Sequence, residues 1–150
     1  MAEQSFEPSD SWLLLSIIYA SKTPPITITN IIAAADYINH CILSYEELAS
    51  ALKRLAAGGL VKIIKSVPYP HEMLLTTYYL NTKETTEVRK ELAFIGGLLN
   101  NTDWLSLVAS AAVPQEAESD FVDEGSFQKA VESYQKRLIS KGTKNKKHGA

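Results

Sequence analysis

The run Ser44-Tyr45-Glu46-Glu47-Leu48-Ala49-Ser50-Ala51-Leu52-Lys53-Arg54-Leu55-Ala56-Ala57-Gly58-Gly59-Leu60-Val61-Lys62 decides the fold. Ser44 stands three residues before Glu47, the spacing of a capping box. There the hydroxyl accepts from the Glu47 amide and the carboxylate reaches back to the Ser44 amide. Leu48, Leu52 and Leu55 recur at i, i+4 and i+7, one stripe of a helix. Gly58-Gly59 offers the left-handed conformation that stops a helix without a Cβ penalty. A strand is expected from Leu60 onward, so the stretch reads as a capped helix, a stop and a strand.

Upstream, Ser9 or Asp10 can cap a first helix containing Trp12, Leu13, Leu14, Leu15, Ile17, Ile18 and Tyr19. That helix is apolar nearly all round and should be largely buried. Pro24 and Pro25 end it, because neither continues a helical ladder. Thr27 or Thr29 can cap a second helix with Ile31, Ile32, Ala35 and Ile38 inward, and Asn39 to Leu43 is a short turn into the third. Either Ile42 or Leu43 should point inward.

Downstream, Leu60–Val67 and Met73–Leu80 are rich in residues that favour strand, including Thr76, Thr77, Tyr78 and Tyr79. They predict a hairpin with a proline-containing tip at residues 68–72. Asn81 or Thr82 can cap a fourth helix with Val88, Leu92, Ile95 and Leu99 on one stripe, interrupted by Gly96-Gly97. Residues 100–103 suggest a break before a helix at Trp104, which Pro114 closes. Phe127, Val131, Tyr134 and Leu138 mark a final amphipathic helix.

The chain is 150 residues long with a net charge of −2, enough for one domain with a real core. The expected organisation is a flexible N-terminus (1–9), a core domain (10–100), a helical extension (101–139) with an acidic linker near 115–125, and a disordered basic tail (140–150). One cysteine, Cys41, excludes an intramolecular disulfide, and no Cys/His cluster has zinc spacing. No apolar run is long enough to span a bilayer and no secretory signal is visible, so a cytoplasmic protein that does not enter membranes is expected. GxSxG, P-loop, GxGxxG and HExxH motifs are absent. Neither an enzyme nor a bound cofactor is expected.

Helix, helix, turn, helix, hairpin, helix over residues 10–99 resembles the winged helix-turn-helix superfamily, including PadR-like and MarR-like regulators. The fold class expected is mainly α with a small β-hairpin, followed by C-terminal helices. The resemblance rests on Ser44–Leu48, Ala51–Leu55, Gly58–Lys62 and Tyr78–Lys83. It implies a third helix that enters the major groove of double-stranded DNA and a wing that touches the backbone. The candidate DNA-binding residues are then Ser44, Tyr45, Ser50, Lys53, Arg54, Lys62 and Lys65. It also implies a homodimer paired through Phe127, Val131, Tyr134 and Leu138.

Charge argues in the other direction. Glu46 lies on the outward stripe with Ser50, Lys53 and Ala57, and the expected wing carries few cations. The alternative is a winged-helix module that binds another protein and not DNA. The Phe127 stripe can also fold back on its own domain. Lys141, Lys144, Lys146 and Lys147 make either a nucleic-acid arm or a solubilising end.

Overall fold

The computed structural model describes residues 6–85, 87–111 and 122–148, with side chains through Ser140. Within them the chain runs α1 (Pro8–Ser21), α2 (Ile28–Asn39), α3 (Tyr45–Ala57), β1 (Val61–Ile64), β2 (Val67–Pro70), α4 (Glu72–Thr82), α5 (Val88–Leu99), α6 (Thr102–Ala111) and α7 (Glu124–His148). The architecture is mostly helical with one antiparallel two-stranded hairpin.

Helix α1 is the hub. Leu13, Leu14, Leu15, Ile17 and Ile18 are wholly buried, so every side of the helix meets another element: α2, α3, α5 and β2. Each such side chain contributes about 1.5–3 kcal/mol of burial against leaving it in water. Pro8 opens α1 at a position where its missing N–H costs no helical bond. Glu7 is the cap, and Asp10 sits inside the first turn, where its carboxylate accepts from the Glu7 amide at 2.9 Å. The cap expected at Ser9 or Asp10 thus lies two to three residues earlier. The Trp12 indole donates to the Ala35 carbonyl at 2.9 Å, tying α1 to α2.

Helix α3 forms as its residues dictate. Ser44 Oγ accepts from the Glu47 amide at 3.1 Å and Glu47 accepts from the Ser44 amide at 3.0 Å. Leu48, Ala51, Leu52 and Leu55 are buried. At its end the Leu60 amide bonds the Leu55 carbonyl and the Gly59 amide bonds the Ala56 carbonyl, the paired closure of a Schellman motif. Gly59 takes the left-handed conformation this needs, at φ 78°. Thr27 caps α2, and of the two turn candidates Leu43 is buried while Ile42 is exposed.

The hairpin is shorter than expected, and its tip lies elsewhere. Register runs Val61 opposite Pro70, Lys62 opposite Tyr69, Ile63 opposite Pro68 and Ile64 opposite Val67, so the turn is Lys65-Ser66. Both turn residues have positive φ, 50° and 65°, the backbone that matches the twist of a two-residue hairpin. Pro68 and Pro70 belong to β2, not to a tip.

Residues 73–80, expected as the second strand, are helical. Leu74, Tyr78 and Thr82 recur every four residues and are buried along one face of α4, and His71 Nδ1 accepts from the Met73 amide at 3.0 Å as its cap. Burial of this stripe overrides the strand preference of the Thr and Tyr residues, which reflects context more than backbone. Asn81 and Thr82 therefore end α4, bonding back to the Thr77 and Tyr78 carbonyls, and Glu87 caps α5. Helix α5 continues through Gly96-Gly97 without interruption.

Asn101 Oδ1 accepts from the Trp104 amide and starts α6. Pro114 and most of the expected acidic linker lie outside the described residues. The final helix does not stop near Ile139: its backbone is helical to His148, where a disordered tail is expected. Once a packed helix exists, each added residue gains a hydrogen bond without a new nucleation cost.

Candidate functional site

The surface singled out by sequence is the solvent side of α3 with the hairpin beside it. Glu46, Ser50, Lys53 and Ala57, the predicted outward stripe, are exposed, as is Glu47 beside it. Glu46 and Glu47 lie in the first turn of α3 and Arg54 in its last, each matching the helix dipole. The two acids thereby have a structural role at the end that a groove-reading helix would present to phosphate.

Arg54, half-buried at the edge of that surface, is engaged within the chain. Its Nε donates to Asp10 Oδ2 at 2.8 Å and its Nη2 to Asp10 Oδ1 at 2.7 Å, a two-pronged pairing with a wholly buried carboxylate. Nη1 donates to Ser50 Oγ at 2.6 Å, and Nη2 reaches Glu7 at 3.4 Å. The hydrogen bond to Asp10 holds the guanidinium firmly protonated. The fork of donors matches the two carboxylate oxygens, so the arrangement is specific to arginine.

Tyr45 is also committed internally. Its ring packs on Phe127, centroids 5.7 Å apart, and its hydroxyl donates to the Val122 carbonyl at 2.9 Å. Ser44 is the cap described above. Of the seven candidate DNA-binding residues, Ser44, Tyr45, Ser50 and Arg54 thus bond within the chain. Lys53 and Lys65 are exposed, and Lys62 is half-buried on β1.

The stripe assigned to a dimer interface meets the same chain. Phe127 and Tyr134 are buried and Val131 is half-buried, whereas Leu138 is 45% exposed. Helix α7 lies along α2 in the opposite direction, since Tyr134 donates to Asp36 at 2.5 Å and Arg137 to Asn30 at 3.0 Å. The apolar stripe needed a surface to cover, and α2 with Tyr45 supplies it. Burial and the Asp36 bond push the Tyr134 phenol up to about 12.

A second cluster escaped the sequence reading. Glu91, buried on α5, accepts hydrogen bonds from the Tyr19 and Tyr78 hydroxyls, the latter at 2.6 Å. The Lys22 ammonium lies 4.6 Å from the Tyr19 ring centre and 5.6 Å from that of Tyr78. Burial first, and the bond to Glu91 second, push both phenols well above their ordinary range. The cluster joins α1, α4 and α5. Only spatial proximity reveals it, because Glu91 is 72 residues from Tyr19.

The chain matches no known protein family, no curated protein and no solved structure. Among the described residues no group of His, Cys, Asp or Glu is arranged to hold a metal, and no helix is long and apolar enough to cross a membrane.

Proposed function

We propose that this chain is a winged-helix module that recognises another protein and not DNA. The order of α1, α2, capped α3 and hairpin supports the winged-helix reading. The observation that carries the choice of partner is the two-pronged pairing of Arg54 with buried Asp10. It withdraws one of the two cations α3 would offer a phosphate backbone. Glu46 and Glu47 then outnumber Lys53 on the exposed face. Phosphate neutralisation supplies most nonspecific and much specific DNA affinity, so a face with this balance is poorly equipped for the major groove.

The competing reading is a DNA-binding transcriptional regulator with α3 in the groove, resting on Lys53, Lys62 and Lys65. Titration of labelled duplex DNA from low to physiological ionic strength separates the two. The expected result is no salt-sensitive binding, and no change on Lys53→Glu. Salt-sensitive binding that Lys53→Glu weakens at every sequence tested would overturn the protein-binding reading. A protein recovered by cross-linking after nuclease treatment, and lost on Glu46→Lys, supports it.

A further inference from the structure

The hairpin has an outer face of unusual composition. Strand side chains alternate, and Val61, Ile63 and Pro68 are buried on the inner face. The opposite face carries Lys62 across from Tyr69 and Ile64 across from Val67. Ile64 is 42% and Tyr69 41% exposed. An antiparallel hairpin with one solvated face ordinarily places polar residues there. Here three of the four outward positions are apolar.

The charge of the hairpin is one-sided as well. Between Val61 and Pro70 the charged residues are Lys62, on the outer face, and Lys65, at the turn, and there is no acid. An apolar centre beside a cationic rim is the composition of a small recognition surface.

We infer that the outer face of the hairpin, built on Ile64, Val67 and Tyr69 with Lys62 and Lys65 at its margin, docks an acidic peptide segment of another protein that carries bulky apolar side chains. The inference rests on the protein-binding reading above and names the chemistry of the partner. Charge complementarity selects acidic residues, and Ile64 and Tyr69 select apolar ones. The partner meets the face and not the outer edge of β2, because Pro68 and Pro70 have no N–H to offer an added strand. DNA fits poorly, since two lysines give little counterion release and a phosphate backbone gains nothing from Ile64 or Tyr69. A two-fold contact between copies of this face sets Lys62 and Lys65 near their own equivalents.

The test uses the full chain on a peptide array in which acidic and bulky apolar positions vary independently. Capture should require both features, and peptides with only one should bind weakly. The best peptide is then titrated against Ile64→Ser with Tyr69→Ser, and against Lys62→Glu with Lys65→Glu. Each pair should lose affinity about tenfold or more, with the charge effect shrinking as salt rises. All four positions avoid the inner face, and circular dichroism checks that both variants fold. Capture of basic or purely apolar peptides, unchanged affinity in folded variants, or self-association abolished by Ile64→Ser overturns the inference. Absence of any capture, with no DNA binding either, removes the hairpin site and leaves the protein-binding reading standing. Salt-sensitive duplex binding abolished by the lysine pair removes both.

Discussion

Helix α1 is fastened at each end through a buried carboxylate, and the two fastenings use different chemistry. Near its N-terminus Asp10 accepts two hydrogen bonds from the Arg54 guanidinium and one from the Glu7 amide. Near its C-terminus Tyr19 and, from α4, Tyr78 donate to Glu91 on α5. The first centre neutralises a buried charge with a full opposite charge. In the second, two phenol hydroxyls donate to the Glu91 carboxyl group, and the Lys22 ammonium lies over the faces of the two tyrosine rings.

The difference has functional weight. Pairing Asp10 with a cation engages the Arg54 guanidinium within the chain, which leaves Lys53 as the cation of α3 on its outward stripe. The phenol centre takes nothing from that face. It acts on architecture, tying Tyr78 of α4 to Glu91 of α5 beside Tyr19 of α1. One centre joins α1 to α3 through a cation and the other joins α1, α4 and α5 through phenols.

The sharpest way to break this contrast is Arg54→Ala, which leaves Asp10 buried without its counter-charge. Urea unfolding should show a loss of about 3–5 kcal/mol, the usual cost of removing one partner of a buried pair. Arg54→Lys should restore only part of it, since an ammonium cannot span both oxygens. A loss near zero would mean that Arg54 is free to serve the α3 surface after all. Glu91→Gln comes next, at about 1–3 kcal/mol, because a carboxamide has one acceptor oxygen for two phenol donors. Amide exchange should quicken in α4 and stay unchanged in α3; the reverse pattern would dissolve the division of labour between the centres.

Ser44→Ala probes the surface-exposed capping box at the opposite end of α3 from Arg54 and should cost roughly 1 kcal/mol, read as a lowered urea midpoint. The smallest effect at neutrality belongs to alkaline pH. Folding holds Tyr134 protonated up to about 12 against an ordinary 10.0, and shifts Tyr19 and Tyr78 in the same direction. Stability from these phenols is whole below pH 10 and declines as pH rises through their folded values, because unfolded phenols lose protons first. Arg54 moves upward too, chiefly through its hydrogen bond to Asp10, so its guanidinium stays charged through the onset of that window. Phenolate absorbance followed alongside circular dichroism should show late ionisation coincident with unfolding. Ionisation of all seven tyrosines near pH 10 in a folded chain would contradict it.

Much of the fold was legible because the relevant forces act within a turn or two of helix. Ser44 with Glu47 and the Leu48–Leu52–Leu55 stripe all lie inside one element, and the structure realises them where the spacing places them. The Thr and Tyr residues at 76–79 misled, because strand preference there is weaker than the burial of Leu74, Tyr78 and Thr82 on one helical face. At the candidate surface, the outward stripe of α3 was legible from helical phase. The engagement of Arg54, Tyr45 and the Phe127 stripe was not.

Sequence by itself thus determined the existence, boundaries and inward face of α3, since caps, stripes and glycine stops are local chemistry. Tertiary structure alone decided which of its polar side chains are already engaged. Asp10 claims Arg54 across 44 residues and Val122 claims Tyr45 across 77. A side chain's availability depends on neighbours brought by the fold, and no local pattern carries that information.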